Sequence, residues 1–296
     1  MNLDPSFYRE EVRSDYLVTA EIKKVWAVEL ELLERFDEVC RKHQLTYYAA
    51  YGTLIGAARH QGFVPWDDDI DLFMFRDDYM KLLSIGPEEF TEPYFFQNIY
   101  TDIMVRSYAK LRDSRTTAIE HPDMDVNYNQ GIFIDIFPLD DVPYGDESTN
   151  ILQIEKEMWQ TIIHPMEVLH SIEENKAFLL PRDILFDLMR MDQHRRMQEF
   201  ETFALNHFGR SEYVNSLMSA FFNGTPCTKR EWYKDVVYLP FEHTQIPVPV
   251  CYEQVLTRQY GDWHKFVRGG SLHQNIIFDP DVPYATYINL YQQQKK

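Results

Sequence analysis

Two periodicities alternate along the first half of the chain. Across residues 20–44 the apolar side chains Ile22, Val25, Trp26, Leu33, Phe36 and Cys40 recur at three- and four-residue steps with charges between them. That spacing predicts an amphipathic helix, with Thr19 placed to cap it. LTYYAAYG (45–52) is short, aromatic and ends in glycine, which marks a buried strand entering a turn, and TLIGAARHQG then reads as a short helix closed by Gly62. From Asp69 to Phe75 the period falls to two. Asp69, Asp71, Phe73 and Phe75 share one face of a predicted strand, and Ile70, Leu72 and Met74 share the other. GIFIDIFPLD (131–140) repeats the design: Asp135 lies with Phe133 and Phe137, opposite Ile132, Ile134 and Ile136. Between the two, YAKLRDSRTTAIE (108–120) predicts a strand carrying Lys110 and Arg112 on one face.

From about 148 to 235 the period is helical and the segment is rich in charge. The change of composition after PLDDVPYGDES puts a boundary near 146, and the tail returns to proline-punctuated extended segments and a helix in CYEQVLTRQYGDW. The expected architecture is α+β, with a mixed-sheet core with flanking helices over 1–146 and a mainly helical region over 147–296 packed on it.

Composition narrows the function classes. With 296 residues, 45% hydrophobic and 26% charged, the chain has the profile of a soluble globular protein. No stretch approaches ~20 consecutive apolar residues, and the first residues lack the basic-then-apolar order of a secretory signal, so a cytoplasmic place is expected, a peripheral one at the inner face of the membrane included. Cys40, Cys227 and Cys251 form no CxxC pair, which removes a disulfide framework or a structural zinc site. A net charge of −18 argues against a nucleic-acid partner, whose backbone needs a basic surface. An anionic ligand here needs a divalent cation or a few placed lysines and arginines.

Candidate chemistry gathers at GFVPWDDDIDLFMF (62–75), where Asp67, Asp68, Asp69 and Asp71 precede and enter a strand. Asp69 and Asp71 on one strand face stand ~7 Å apart, close enough to share one or two cations. Asp135 on a neighbouring strand completes an all-oxygen set that favours Mg²⁺ or Mn²⁺, the usual setting of phosphoryl transfer. Gly52-Thr53 at a helix start offers free N–H groups to a phosphate. A calcium loop of the EF-hand kind fails, because counting from Asp67 the sixth residue is Leu72 and the twelfth Asp78. His164, Glu167 and His170 do not match HExxH and read as a solvated helix face. Dinucleotide-fold, P-loop, esterase and kinase signatures are lacking. Trp66 beside the aspartates either plugs the core or lines a ligand pocket.

The order of these elements resembles the nucleotidyltransferase superfold. YGTLIGAARHQGFVPWDDDIDLFMFRDDY more specifically resembles the signature of the LicD family of phosphocholine transferases, to which the fukutin-related proteins belong, and KLRDSRTT, GIFIDIFPLDDVP and PVPVCYEQVLTRQYGDW resemble its recurrent segments. The resemblance implies a nucleotidyltransferase-like core that transfers phosphocholine from CDP-choline to a hydroxyl of a cell-surface glycan, lipid-linked glycan or teichoic-acid precursor, releasing CMP. It implies metal binding by Asp69 and Asp71, with Asp67 at a further acidic position, Asp68 at a variable one and Asp135 as the third carboxylate. Lys110 and Arg112 fit the basic strand near the nucleotide phosphates; Gly52, Thr53 and Arg59 fit the phosphate approach. Asp135 is the candidate to take the acceptor proton. A quaternary ammonium is held by aromatic faces, for which Trp66 is the first candidate, with Phe73 and Phe133 beside the carboxylates. Transfer of another phospho-alcohol, such as a pentitol or glycerol phosphate, and a non-catalytic glycan-recognition scaffold stay open.

Overall fold

In the computed structural model, which describes residues 3–103, 106–120, 128–142, 148–207, 209–217, 226–268 and 276–294, the chain opens with a hairpin of β1 (Glu11–Arg13) and β2 (Tyr16–Val18). Helix α1 (Ala20–His43) follows the expected stripe. Thr19 Oγ1 accepts from the Ile22 amide at 3.3 Å, and the last turn carries Arg41, Lys42 and His43 before Gln44 takes a left-handed conformation. Such a cap satisfies one of the free amides at the helix start, while the basic last turn suits the negative end of the helix dipole. The buried face of α1 includes Trp26, Leu30, Leu33 and Phe36; Trp26 stacks on Phe63 with ring centroids 4.5 Å apart.

The central sheet is built from β3 (Tyr48–Ala49), β4 (Asp71–Phe75), β5 (Tyr94–Gln97), β6 (Ala109–Asp113), β8 (Ile132–Asp141), β9 (Tyr213–Asn215) and β10 (Thr228–Lys229), with β7 (Thr117–Ile119) outside it. The order β10-β9-β8-β4-β3 runs across the middle, and β6 and β5 extend from β8. β4 and β8 are parallel, while β6 and β9 run antiparallel to β8. β8 is buried along its whole length, which explains its near-continuous apolar sequence. Helices α2 (Tyr51–Ile55), continued by a π-turn through His60, and α3 (Arg76–Glu89) flank β4. Gln61, not Gly62, holds the left-handed position that ends the first of these.

Helices α4 (Ser148–Ile163), α5 (Pro165–Glu173), α6 (Arg182–Arg190) and α7 (Gln193–His207) fulfil the helical reading up to 207, and Met158, Trp159, Ile162, Leu188, Met197 and Phe200 form a second apolar cluster. The sequence boundary near 146 lies outside the described residues. Beyond α7 the chain goes back to the sheet through β9 and β10. It then forms the hairpin β11 (Val236–Phe241) and β12 (Thr244–Pro249), helix α8 (Tyr252–Tyr260), strand β13 (Ile277–Asp279) paired with β7, and α9 (Tyr284–Gln294). The second half is thus stitched into the first by strand pairing. Arg76 at the start of α3 is fully buried and meets Asp140 of β8 through two hydrogen bonds of 2.7 and 2.6 Å, a paired charge that fixes helix to sheet. Among the described residues no helix is long and apolar enough to cross a membrane.

Candidate active site

A row of charges crosses three strands. Asp71 on β4 is the register partner of Asp135 on β8, and Asp135 is the register partner of Lys110 on β6, so the three side chains leave the same face of the sheet. The row is tied at the start of β4: the Asp71 amide donates to Thr53 Oγ1 at 2.8 Å, the Ala50 amide donates to the Asp71 carbonyl at 2.9 Å, and the Asp135 amide donates to the Ile70 carbonyl at 2.8 Å. Lys110 Nζ lies 2.9 Å from Asp135 Oδ1 and 3.4 Å from Glu120 Oε1, and sits 3.2 Å from the centre of the Phe133 ring. The contact with Asp135 is close but poorly aligned, which leaves Asp135 Oδ1 buried without a hydrogen bond. Beneath the row, Tyr51, Phe73, Tyr108 and Phe137 pack edge to face or tilted at 4.4–6.3 Å. Tyr51 holds a φ of 41°, a left-handed conformation that a bulky side chain rarely adopts, at the turn leading into Gly52 and Thr53.

Strand β4 begins at Asp71 rather than at Asp69, so residues 67–70 form a separate turn in front of the row. In that turn Asp67, Asp68 and Asp69 can each present a carboxylate oxygen within 4.8 Å of the others. Asp68, which the family pattern left aside, therefore belongs to the cluster. The Asp67 carbonyl accepts a 3.0 Å hydrogen bond from the Trp26 indole, and its carboxylate lies against the Cα of Gly52: a Cβ there would stand 2.2 Å from Asp67 Oδ2. Burial and the charge of Asp68 push the Asp67 carboxyl up to about 6. Burial holds the Asp71 carboxyl well above the usual range, and Asp69, Asp135 and Asp67 add to this while Lys110 opposes it. These shifts share one physical meaning. The carboxylates repel one another in a poorly solvated place and favour a proton or a cation among them.

Two further residues bear on the cluster: Glu29, which escaped the sequence reading, and Tyr260, whose Tyr260-Gly261-Asp262 segment resembles a family element but also reads as a plain helix end. Glu29 on α1 is 1% exposed, its Oε2 has no hydrogen-bond partner, and the charges that act on its carboxyl after desolvation are those of Asp69, Asp68, Asp67 and Asp71. Its signal was a glutamate inside the apolar stripe, three residues after Trp26 and four before Leu33. Tyr260, the last residue of α8, is 44% exposed as a residue, yet its phenol is pushed up first by desolvation and then by Asp71 and Asp67. Its phenol therefore lies within range of the charges of those two carboxylates. Gly261 ends α8 with a φ of 70° and a ψ of −122°, outside the usual left-handed cap and in a region open to glycine.

The remaining expected residues fall in instructive places. Arg112 is buried and directs its guanidinium to Gln97 Oε1, to the Gly131 carbonyl at 2.8 Å and to Glu120 Oε2 at 3.2 Å. Three of its donor groups are thus engaged within the protein. Lys110 is likewise fully buried and faces Asp135. Helix α2 has only five residues; its Gly52 lies against the Asp67 carboxylate and its Thr53 Oγ1 accepts from the Asp71 amide. Arg59 donates to the Trp263 and Lys265 carbonyls at 2.7 and 3.3 Å and covers the Phe266 ring, so it holds the segment after α8 against the π-turn. Trp66 is half-buried and meets Tyr16 and His60 edge to face at 6.0 and 6.4 Å. His164, Glu167 and His170 are exposed on α5 and at its start, as the sequence indicated.

The donors fit a hard divalent cation. They are all carboxylate oxygens, and Glu29 Oε2 is buried without the hydrogen bond that a buried oxygen ordinarily has.

Residues 44–197 match the family described as LicD/FKTN/FKRP, nucleotidyltransferase domain. The chain is 28% identical over 241 residues to the lipopolysaccharide cholinephosphotransferase LicD of Haemophilus influenzae, covering 80% of this chain and 88% of that protein. It is 36% identical over 78 residues to the uncharacterized protein RP689 of Rickettsia prowazekii, covering 26% of this chain and 27% of that one.

Proposed function

The chain belongs to the LicD/FKTN/FKRP family of nucleotidyltransferase domains, and from that premise we propose that it transfers phosphocholine from CDP-choline to a hydroxyl of a cell-envelope glycan such as lipopolysaccharide or a teichoic-acid precursor. The likeness to the Haemophilus cholinephosphotransferase supports the group transferred. The observation that carries the reading is the row Asp71–Asp135–Lys110 with the aspartate turn in front of it.

Asp67, Asp69, Asp71 and Asp135 would hold Mg²⁺ or Mn²⁺, which supplies the positive charge that a nucleoside diphosphate needs among so many carboxylates. The chain's own residues do the rest. Thr53 and the backbone partners of Asp71 and Asp135 fix the two strand carboxylates in place before substrate arrives, so little reorganisation is left for the reaction itself. Lys110 Nζ, 2.9 Å from Asp135 Oδ1, places and orients the carboxylate that accepts the proton. Asp135 takes the proton of the acceptor hydroxyl as its oxygen bonds to the phosphorus that bears choline; the bond from that phosphorus to the bridging oxygen breaks, and CMP leaves with the electron pair. Tyr16, Trp66 and His60 offer the aromatic surface beside the carboxylates on which the trimethylammonium head group rests. The site works in the cytoplasm or at the inner face of the membrane, where CDP-linked donors are made.

The test is a panel of CDP-choline, CDP-glycerol and a CDP-pentitol with Mg²⁺ and a lipopolysaccharide acceptor, read by CMP release. CMP from CDP-choline alone, dependent on acceptor and metal, is the expected result. Release from another CDP-alcohol in its place would reassign the head group. Binding without CMP from any donor would make the protein a non-catalytic scaffold.

A further inference from the structure

We infer that Glu29 of α1 is a further carboxylate of the cation site, reaching it from the helix side opposite the strand carboxylates. The inference rests on the metal reading above and deepens it. Its geometry begins one turn earlier on the same helix face, where the Trp26 indole donates to the Asp67 carbonyl at 3.0 Å and seats α1 directly on the aspartate turn. Three residues on, Glu29 follows on that face. Its carboxylate is buried, its Oε2 is without a hydrogen-bond partner, and the charges acting on it come from Asp67, Asp68, Asp69 and Asp71.

Buried Glu120, by contrast, has Lys110, Arg112 and Arg106 facing it, the ordinary setting of a buried ionised carboxylate. Glu29 faces like charge instead. A proton would remove only the charge of Glu29 itself, whereas a bound cation turns the whole surrounding from a cost into an attraction, since it draws on the same oxygens that otherwise repel. The arrangement also accounts for the place of Glu29 in the apolar stripe of α1, where a leucine would pack better.

The experiment compares the full chain with its Glu29→Gln, Glu29→Asp and Asp71→Asn variants, using MnCl₂ alone as the probe, by calorimetry and by thermal melting with and without the metal. Glu29→Gln keeps the shape and removes the charge. It is expected to melt no lower than the parent without metal, to bind Mn²⁺ about tenfold or more weaker, and to gain less melting temperature from Mn²⁺. Glu29→Asp, with the carboxylate drawn back by one methylene, falls between the two in affinity. Unchanged Mn²⁺ affinity in Glu29→Gln overturns the inference, as does a metal-free melting point below the parent's, which would mark a structural hydrogen bond. If Asp71→Asn loses Mn²⁺ binding while Glu29→Gln keeps it, only the role of Glu29 fails. If both keep it, the metal reading itself fails.

Discussion

Asp71 and Asp135 face each other as register partners across the parallel pair β4 and β8, and each is fixed through its backbone amide, by Thr53 Oγ1 and by the Ile70 carbonyl. Two carboxylates so placed act as a unit. Asp71→Asn and Asp135→Asn are each expected to lower turnover on the order of 100-fold or more, since each removes charge stabilisation worth several kcal/mol. Both variants should remain folded, because the substitution relieves repulsion. Steady-state rates of CMP release decide it, and near-parent activity in either variant would remove that residue from the site.

Gly52 owes its identity to the carboxylate lying against it. In Gly52→Ala the new methyl would meet Asp67 Oδ2 at 2.2 Å, and a side-chain end yields more readily than backbone. The expected outcome is a folded protein whose Asp67 is displaced, with metal affinity down about tenfold and a small change in melting temperature. Loss of fold with no change in metal affinity in the surviving fraction would instead make the glycine a requirement of the turn.

Trp66 tests the head group. Trp66→Ala should cost on the order of 1–2 kcal/mol in CDP-choline affinity, roughly 5- to 30-fold, and leave CDP binding nearly unchanged. Calorimetry with the two ligands separates the cases. Equal losses would show that the indole supports the Tyr16 and His60 contacts and not the choline.

Far from the site, Glu155 on α4 is buried with both carboxylate oxygens unpaired, and burial, with Asp140 next, pushes its carboxyl up to about 9 against the opposing effect of Arg76. The folded protein therefore retains a proton that the unfolded chain loses from its ordinary value upward. Between about pH 4.5 and 9 the folded state binds more protons than the unfolded one, so this group makes stability fall as pH rises. Glu155→Gln should raise the melting temperature at pH 8.5 and change it little at pH 5. An equal change at both values would contradict the buried, protonated state.

What the sequence could reveal was what repeats along one element. The two-residue period of β4 and β8 and the stripe of α1 are local, and both stand as expected. The row Asp71–Asp135–Lys110 was legible as three strands with charges but not as a register, because register is fixed by pairing between distant segments. Lys110 and Arg112 share a face, yet their opposite fates depend on Gln97, Gly131 and Glu120, which no local pattern connects to them. Glu29 went unread for a similar reason: a charge in an apolar stripe gains meaning only once the opposing surface is known to be acidic. The start of β4 was misplaced by two residues because alternation continues back into a turn that meets β8 only through the Ile70 carbonyl.

The return of the chain after α8 to the site carries a consequence for how the protein comes into being. The matched family segment ends at residue 197, but Arg59 is seated by the carbonyls of Trp263 and Lys265, Tyr260 lies within range of the charges of Asp71 and Asp67, and Glu242 receives both Arg13 and the Phe63 amide. During synthesis, then, the carboxylates of 67–71 leave the ribosome long before the segments that enclose them. Contacts spanning some 200 positions must close last, and loop closure over such distances is slow. A nascent chain released at the end of the matched segment would display an open, strongly acidic turn, and a fragment of 44–197 should accordingly fail as a stand-alone domain even though it contains every strand carboxylate.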